Sequence, residues 1–278
     1  QIFSAILPSL PELVYDQSSN YVIQKLCEYL DYGKPNTAKT EVVGKGETSG
    51  DYGDFDERFL KFFLSDIKHV VDHPNSCRVL QKYIEHTTNI DHVDKIYVGV
   101  RDELNSMCTS PNGNHIVQRF IEMLPARVSE VVNAIKPYVS SLVVDSCGCR
   151  VVQKLFDKYD IKLLRPLVDE VLVCADSLAT DQYGNYVVQN ILNSGPDSDI
   201  AALIKQFKGS FCRFSTHKFA SNVIEKCIRR ATPEQRDQIF DEIISGDGKY
   251  KEDHILKMVT DQFGNYVMQR IIEFGSEN

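Results

Sequence analysis

One arrangement of polar and apolar positions returns seven times along the chain: a small or amide residue, a flat side chain, two apolar residues, then glutamine or glutamate. The copies are Asn20-Tyr21-Val22-Ile23-Gln24, Cys77-Arg78-Val79-Leu80-Gln81, Asn114-His115-Ile116-Val117-Gln118 and Cys149-Arg150-Val151-Val152-Gln153. Asn185-Tyr186-Val187-Val188-Gln189, Ser221-Asn222-Val223-Ile224-Glu225 and Asn265-Tyr266-Val267-Met268-Gln269 complete the set. Counting the first residue as i, apolar residues recur at i+2, i+3, i+6 and i+7, as with Val187, Val188, Ile191 and Leu192. That set is one stripe of a helix with 3.6 residues per turn. Turn chemistry precedes the motif, as in Asp181-Gln182-Tyr183-Gly184 and Asp261-Gln262-Phe263-Gly264. Motif helices are therefore predicted near 20–30, 77–86, 114–124, 149–159, 185–194, 221–230 and 265–274. A second helix follows each motif, with Pro125 and Pro233 suited to its first turn, and short apolar runs such as Ile67–Val71 and Leu142–Val144 predict a third.

The first residues of successive motifs lie 57, 37, 35, 36, 36 and 44 residues apart. The two long gaps hold extra sequence at 31–57 and 245–252, so the underlying period is about 36 residues. Units of this size cannot bury their apolar faces alone and must stack. The expected architecture is all-α, a solenoid forming a single array over 1–278. Segment 31–57 is rich in Gly, Thr, Ser and Asp without a sustained period, and is expected to be a flexible acidic loop.

Composition narrows the function classes. A chain that is 42% hydrophobic and 25% charged suits a folded protein with a sizeable interior, and no apolar run approaches a membrane span. The opening QIFSAILPSLPELVYD lacks a basic n-region and a cleavage site, so secretion is not signalled. Eight cysteines without a CxxC pair point to reduced thiols in a cytoplasmic setting, with no metal or other cofactor expected. No Ser-His-Asp set, P-loop or HExxH appears, so an enzyme is not expected. The net charge of −8 argues against nucleic acid. Residues 31–57, however, hold seven acids against three lysines, so half of that excess lies outside the repeats.

In a helix, i and i+4 lie one above the other, with i+1 beside them. Each repeat is thus expected to offer one surface a trio of two hydrogen-bonding side chains and one flat one. Tyr21, His115, Tyr186 and Tyr266, with Arg78 and Arg150, supply planes on which unpaired bases stack, at roughly 1–3 kcal/mol per base. Glu225 accepts only, which suits the adjacent N1–H and N2–H₂ donors of guanine, and Ser221 leaves room for a purine. Glutamine both donates and accepts, so it does not by itself decide between uracil and adenine. Asn crowds the site towards a pyrimidine, while Cys leaves space for adenine.

These pentads, with Ser221–Glu225 preceded by His217-Lys218-Phe219-Ala220, resemble the RNA-reading helices of the Pumilio/FBF (PUF) family over essentially the whole chain outside 31–57. The resemblance implies a right-handed curved α-solenoid of three-helix repeats that binds single-stranded RNA antiparallel on its concave side, one base per repeat. It implies that Asn20/Tyr21/Gln24, Asn114/His115/Gln118, Asn185/Tyr186/Gln189 and Asn265/Tyr266/Gln269 read U. By the same token Cys77/Arg78/Gln81 and Cys149/Arg150/Gln153 read A, and Ser221/Asn222/Glu225 reads G. The implied target is 5′-UGUAUAU-3′, containing a UGUA core, in mRNA 3′ untranslated regions. Implied partners are protein effectors of translation or mRNA decay, with loop 245–252 as one place for them to bind. Family members usually have eight repeats. The first one legible here resembles a second repeat, with Ser18-Ser19 where an aromatic-Gly pair is usual, so a first repeat is expected to be missing or to lie upstream. The competing class is a protein-binding scaffold of the HEAT or armadillo sort, which has no reason to repeat an edge-reading trio. The basic residue after the Gln or Glu (Lys25, Lys82, Arg119, Lys154, Lys226, Arg270, but Asn190 once) suits either phosphate neutralisation or ordinary solvated surface.

Overall fold

The apolar stripe and the turn chemistry ahead of it settle into helices throughout. Among the described residues (5–30, 50–245 and 251–275) this computed structural model contains no strand. The chain groups into two compact units, Gln1–Val131 and Val132–Asn278. The first unit holds the motif helices Asn20–Glu28, Pro74–His86 and Gly113–Met123. The second holds Gly148–Lys158, Gly184–Ser194, Ala220–Arg230 and Gly264–Gly275. They are numbered first to seventh below. Within each unit, successive motif helices pack side by side.

The predicted companions are present. Ile67–Asp72 and Ala175–Thr180 are short helices ahead of a motif, and Asp197–Phe207 and Pro233–Ser245 are second helices after one. Pro125 opens a 3-10 turn, Pro125–Arg127, before Val128–Ile135. In the fifth motif helix Val187, Val188, Ile191 and Leu192 are all fully buried. Each such side chain contributes roughly 1.5–3 kcal/mol of transfer free energy.

Two features fix how each motif helix starts. Four residues before i stands a capping side chain: Asp16, His73, Ser110, Asp145, Asp181, His217 or Asp261. Asp181 Oδ1 accepts the N–H groups of Tyr183 (2.8 Å) and Gly184 (2.7 Å), and Asp145 does the same for Cys147 and Gly148. These bonds satisfy donors that the first helical turn leaves without partners. Bonds from the Ser19 N–H and hydroxyl hold the exposed Asp16 carboxyl below its usual range. At i−1, the helix lies against the preceding short helix. A Cβ on Gly148 would sit 2.7 Å from the Leu142 carbonyl oxygen, so only glycine fits there. Where serine replaces glycine it turns the contact into a bond: Ser76 Oγ donates to Val70 O at 2.8 Å, and Ser19 Oγ to Leu13 O at 3.0 Å. Ser18-Ser19 therefore starts its helix with the same Asp cap as the aromatic-Gly pairs, through the N–H groups of Ser18 and Ser19 to Asp16 Oδ1.

The loop expected over 31–57 is corrected at its C-terminal end. Residues 31–49 lie outside the described residues, but Gly50–Ser65 is a helix. Phe55, Phe59 and Phe63 recur four residues apart and are fully buried, with Phe59 stacked on Tyr83 of the second motif helix at 5.7 Å. That apolar period outweighs the Gly and Asp content from which a loop is expected. The helix is also tied by polar bonds: buried His92 places Nδ1 2.8 Å from the Tyr83 hydroxyl and Nε2 3.2 Å from Glu57 Oε1. Loop 245–252 falls mostly on residues 246–250, which lie outside the described residues; Ser245 ends one helix and Lys251 begins the next.

Candidate functional site

The seven trios do not present three surface groups each. Residue i is a buried anchor: Asn20, Cys77, Asn114, Cys149, Asn185 and Ser221 are each at most 4% exposed. Only Asn265, in the last motif helix, is half-buried. The i+1 residue faces out, with Tyr21, Tyr186 and Tyr266 at 71%, 51% and 53% exposure; Arg78, Arg150 and Asn222 are exposed and His115 half-buried. At i+4 the Gln or Glu is half-buried, except for exposed Gln269. The expected trio thus becomes a flat surface group, a half-covered polar reader and an anchor beneath it.

The anchor determines how the reader is held. Asn185 donates its amide nitrogen to the Asp181 carbonyl at 2.8 Å, so its Oδ1 must face the other way. There it accepts from Gln189 Nε2 at 2.7 Å. Asn20–Gln24, Asn114–Gln118 and Asn265–Gln269 repeat the bond at 2.8, 3.0 and 3.1 Å, with the same backbone bond beneath each. One glutamine N–H is consumed, and Oε1 with the second N–H is left as an ordered acceptor–donor pair.

In the cysteine helices the thiol points down instead. Cys77 Sγ lies 3.2 Å from the Pro74 carbonyl and Cys149 Sγ 3.6 Å from that of Ser146. Gln81 Nε2 is 3.9 Å from Cys77 Sγ, and Arg78 donates to Gln81 Oε1 at 3.3 Å. Burial raises both thiol pKa values, and the adjacent arginine only partly opposes it. In the sixth helix, Glu225 Oε2 has Arg270 Nε 3.5 Å away, a buried nitrogen with no hydrogen bond of its own.

The capping residue at i−4, whose carbonyl orients the four Asn anchors, belongs to this machinery and escaped the sequence reading as a set. Its signal was there, as Asp, Ser or His at one fixed offset in all seven motifs. The basic residues at i+5 are mostly engaged locally: Lys25 with Glu28 at 2.6 Å, Lys82 with Glu85 at 2.8 Å, Arg119 with Glu122 and Arg270 with Glu273. Among the described residues, no group of three His, Cys, Asp or Glu is placed to hold a metal ion, and no helix is long and apolar enough to cross a membrane. All eight cysteines are free.

The chain is similar in sequence and in fold to proteins of known repeat architecture. It is 26% identical over 276 residues to a Pumilio domain-containing protein of Schizosaccharomyces pombe, covering 99% of this chain and 37% of that protein. The chain spans less than half the length of the curated relatives it matches. Among solved structures, PUF-8 in complex with PBE-RNA superimposes with a TM-score of 0.78 at 27% identity, covering 98% of this chain and 73% of that one. The Puf3 RNA binding domain, bound to a Cox17 RNA 3′ UTR recognition sequence, gives 0.79 at 26% identity, covering 98% and 74%. The model of the Pumilio-family RNA binding repeat matches residues 10–32, 73–97, 104–130, 138–172, 175–206, 210–244 and 254–278. The chain belongs to the Pumilio (PUF) family of RNA-binding helical repeat proteins, and its seven matched segments each contain one of the seven motifs.

Proposed function

We propose that this chain binds single-stranded RNA of sequence 5′-UGUAUAU-3′, one base per motif and antiparallel to the protein. The observation carrying this reading is the anchored reader. Four glutamines are fixed by Asn, two sit over Cys beside Arg, and one site presents a carboxylate over Ser. Uracil meets the ordered acceptor–donor pair through N3–H and O4, and guanine meets Glu225 through N1–H and N2–H₂. The exposed tyrosines, His115 and the two arginines stack between successive bases. The RNA-bound PUF-8 and Puf3 structures support the RNA-binding part of this reading. Action on mRNA 3′ untranslated regions in the cytoplasm, with recruitment of effectors of translation or decay, extends this reading.

The test is a selection of bound sequences from randomised RNA, followed by Ser221→Asn with Glu225→Gln. The wild-type chain should enrich UGUAUAU, and the double variant should prefer U over G at the second base by roughly tenfold or more, about 1.4 kcal/mol. A variant still preferring G would refute the assignment of that motif. Scrambled RNA bound as tightly as UGUAUAU would refute the reading as a whole.

A further inference from the structure

Positions i+5 and i+8 of the motif helices lie within reach of each other, one turn apart. In the first, second, third and seventh helices they form cation–carboxylate pairs: Lys25–Glu28, Lys82–Glu85, Arg119–Glu122 and Arg270–Glu273. The fifth helix carries Asn190 and Asn193 instead, both neutral, and the sixth carries two cations, Lys226 and Arg229. Lys226 Nζ reaches across to Asn193 Oδ1 at 3.0 Å. Among the described residues neither Lys226 nor Arg229 forms an ion pair. Both line a groove of about 280 Å³ with Gln189, Asn193, Asn222 and Glu225. The Glu225 carboxylate lies 3.5 Å from Arg270, which also pairs with Glu273, and against this one carboxylate the groove lining holds two cations, Lys226 and Arg229. Burial, and to a lesser degree Arg229, pushes the Lys226 pKa down, so an anion entering the groove would relieve a local excess of positive charge.

A base edge is neutral and does not call for two unpaired cations, whereas a phosphodiester does. We infer that the groove between the fifth and sixth motif helices binds a backbone phosphate of the RNA, at the linkage joining the G read by Glu225 to the U read by Gln189. Lys226 and Arg229 are its ligands and Asn193 positions Lys226. In an acidic chain whose other i+5 cations are largely self-neutralised, this site supplies most of the local salt dependence of binding. The inference rests on the RNA-reading function proposed above.

The experiment measures the affinity of the full chain for 5′-UGUAUAU-3′ against salt, for wild type, Lys226→Gln/Arg229→Gln and, as a control, Lys205→Gln in the second helix Asp197–Phe207. Each neutralised phosphate contributes about 0.7 to the logarithmic salt slope for a single strand. The double variant should lose roughly tenfold in affinity and about 0.7 in slope, with its base preferences unchanged, and Lys205→Gln should do neither. A single methylphosphonate at the G–U linkage should weaken wild type by the same factor and add nothing in the double variant. An unmoved slope, or a methylphosphonate penalty spread evenly over all linkages, overturns the site. Stabilisation of wild type by millimolar inorganic phosphate without a linkage-specific RNA effect would mark a free-anion site, and also overturns it. Failure of the underlying reading looks different, because wild type would then hold UGUAUAU and scrambled RNA equally.

Discussion

The fifth and second motif helices hold the same reader, glutamine, by opposite means. Gln189 is fixed from below, because Asn185 is itself fixed to the Asp181 carbonyl and has only its oxygen to offer. Gln81 stands over a thiol that turns to Pro74, and its oxygen is met from the side by Arg78. An amide held through its nitrogen by a strong acceptor has one orientation. An amide over a sulfur 3.9 Å away, with its oxygen met by a guanidinium at 3.3 Å, is held more loosely and from the side. Under the proposed function the reader does not carry the specificity alone: the buried residue one turn earlier selects which face of it is offered to a base.

Exchanging the anchors would break this comparison most directly. Asn185→Cys with Tyr186→Arg should give the fifth helix the chemistry of the second and move its preference from U to A. Comparing 5′-UGUAUAU-3′ with 5′-UGAAUAU-3′ should show the ratio of affinities change by roughly a hundredfold, since each mismatched polar contact costs about 1–3 kcal/mol. If U stays preferred, the anchor is a packing residue and the specificity lies elsewhere.

Most of this arrangement was legible in the sequence, because seven copies in phase turn weak pentads into a strong signal. The helix positions, the buried stripe and the outward i+1 residue follow from helical geometry. Burial of the first residue did not, because Asn reads as a surface group until the i−4 carbonyl that satisfies it is seen. Residues 50–57 were hidden by their Gly and Asp, although Phe55, Phe59 and Phe63 already mark the buried side of a helix. The end motifs also weaken the pattern: Val22 is 53% exposed and Ile272 69%, where the inner copies of those positions are buried or, at Phe156, half-buried.

A smaller effect sharpens the comparison at its base. Asp181→Ala removes two bonds to backbone N–H groups at the start of the fifth helix and should lower stability by about 1 kcal/mol, read as a shift in the urea midpoint. The carbonyl that orients Asn185 is retained, so the preference for U at the third base should survive. Loss of that preference alongside a small stability change would mean that the cap, not the anchor, orients the reader.

The smallest expected effect concerns the thiols. Burial raises the pKa values of Cys77 and Cys149 above the ordinary thiol range, and the nearby arginines do not cancel it. A group protonated more firmly in the fold than in the unfolded chain contributes stability that is whole below the unfolded pKa. That stability is lost as pH climbs through the folded value. Between about pH 7 and 8.5 both anchors therefore stay neutral, alkylation of either should be slower than that of a small free thiol, and affinity for UGUAUAU should stay flat. The Asn anchors have no group titrating in that range, so a pH-dependent loss confined to the two A positions would show thiolate forming beneath Gln81 and Gln153. It would mean that those readers sit over a charge, and that adenine is chosen by electrostatics, not by the space and freedom a neutral sulfur leaves.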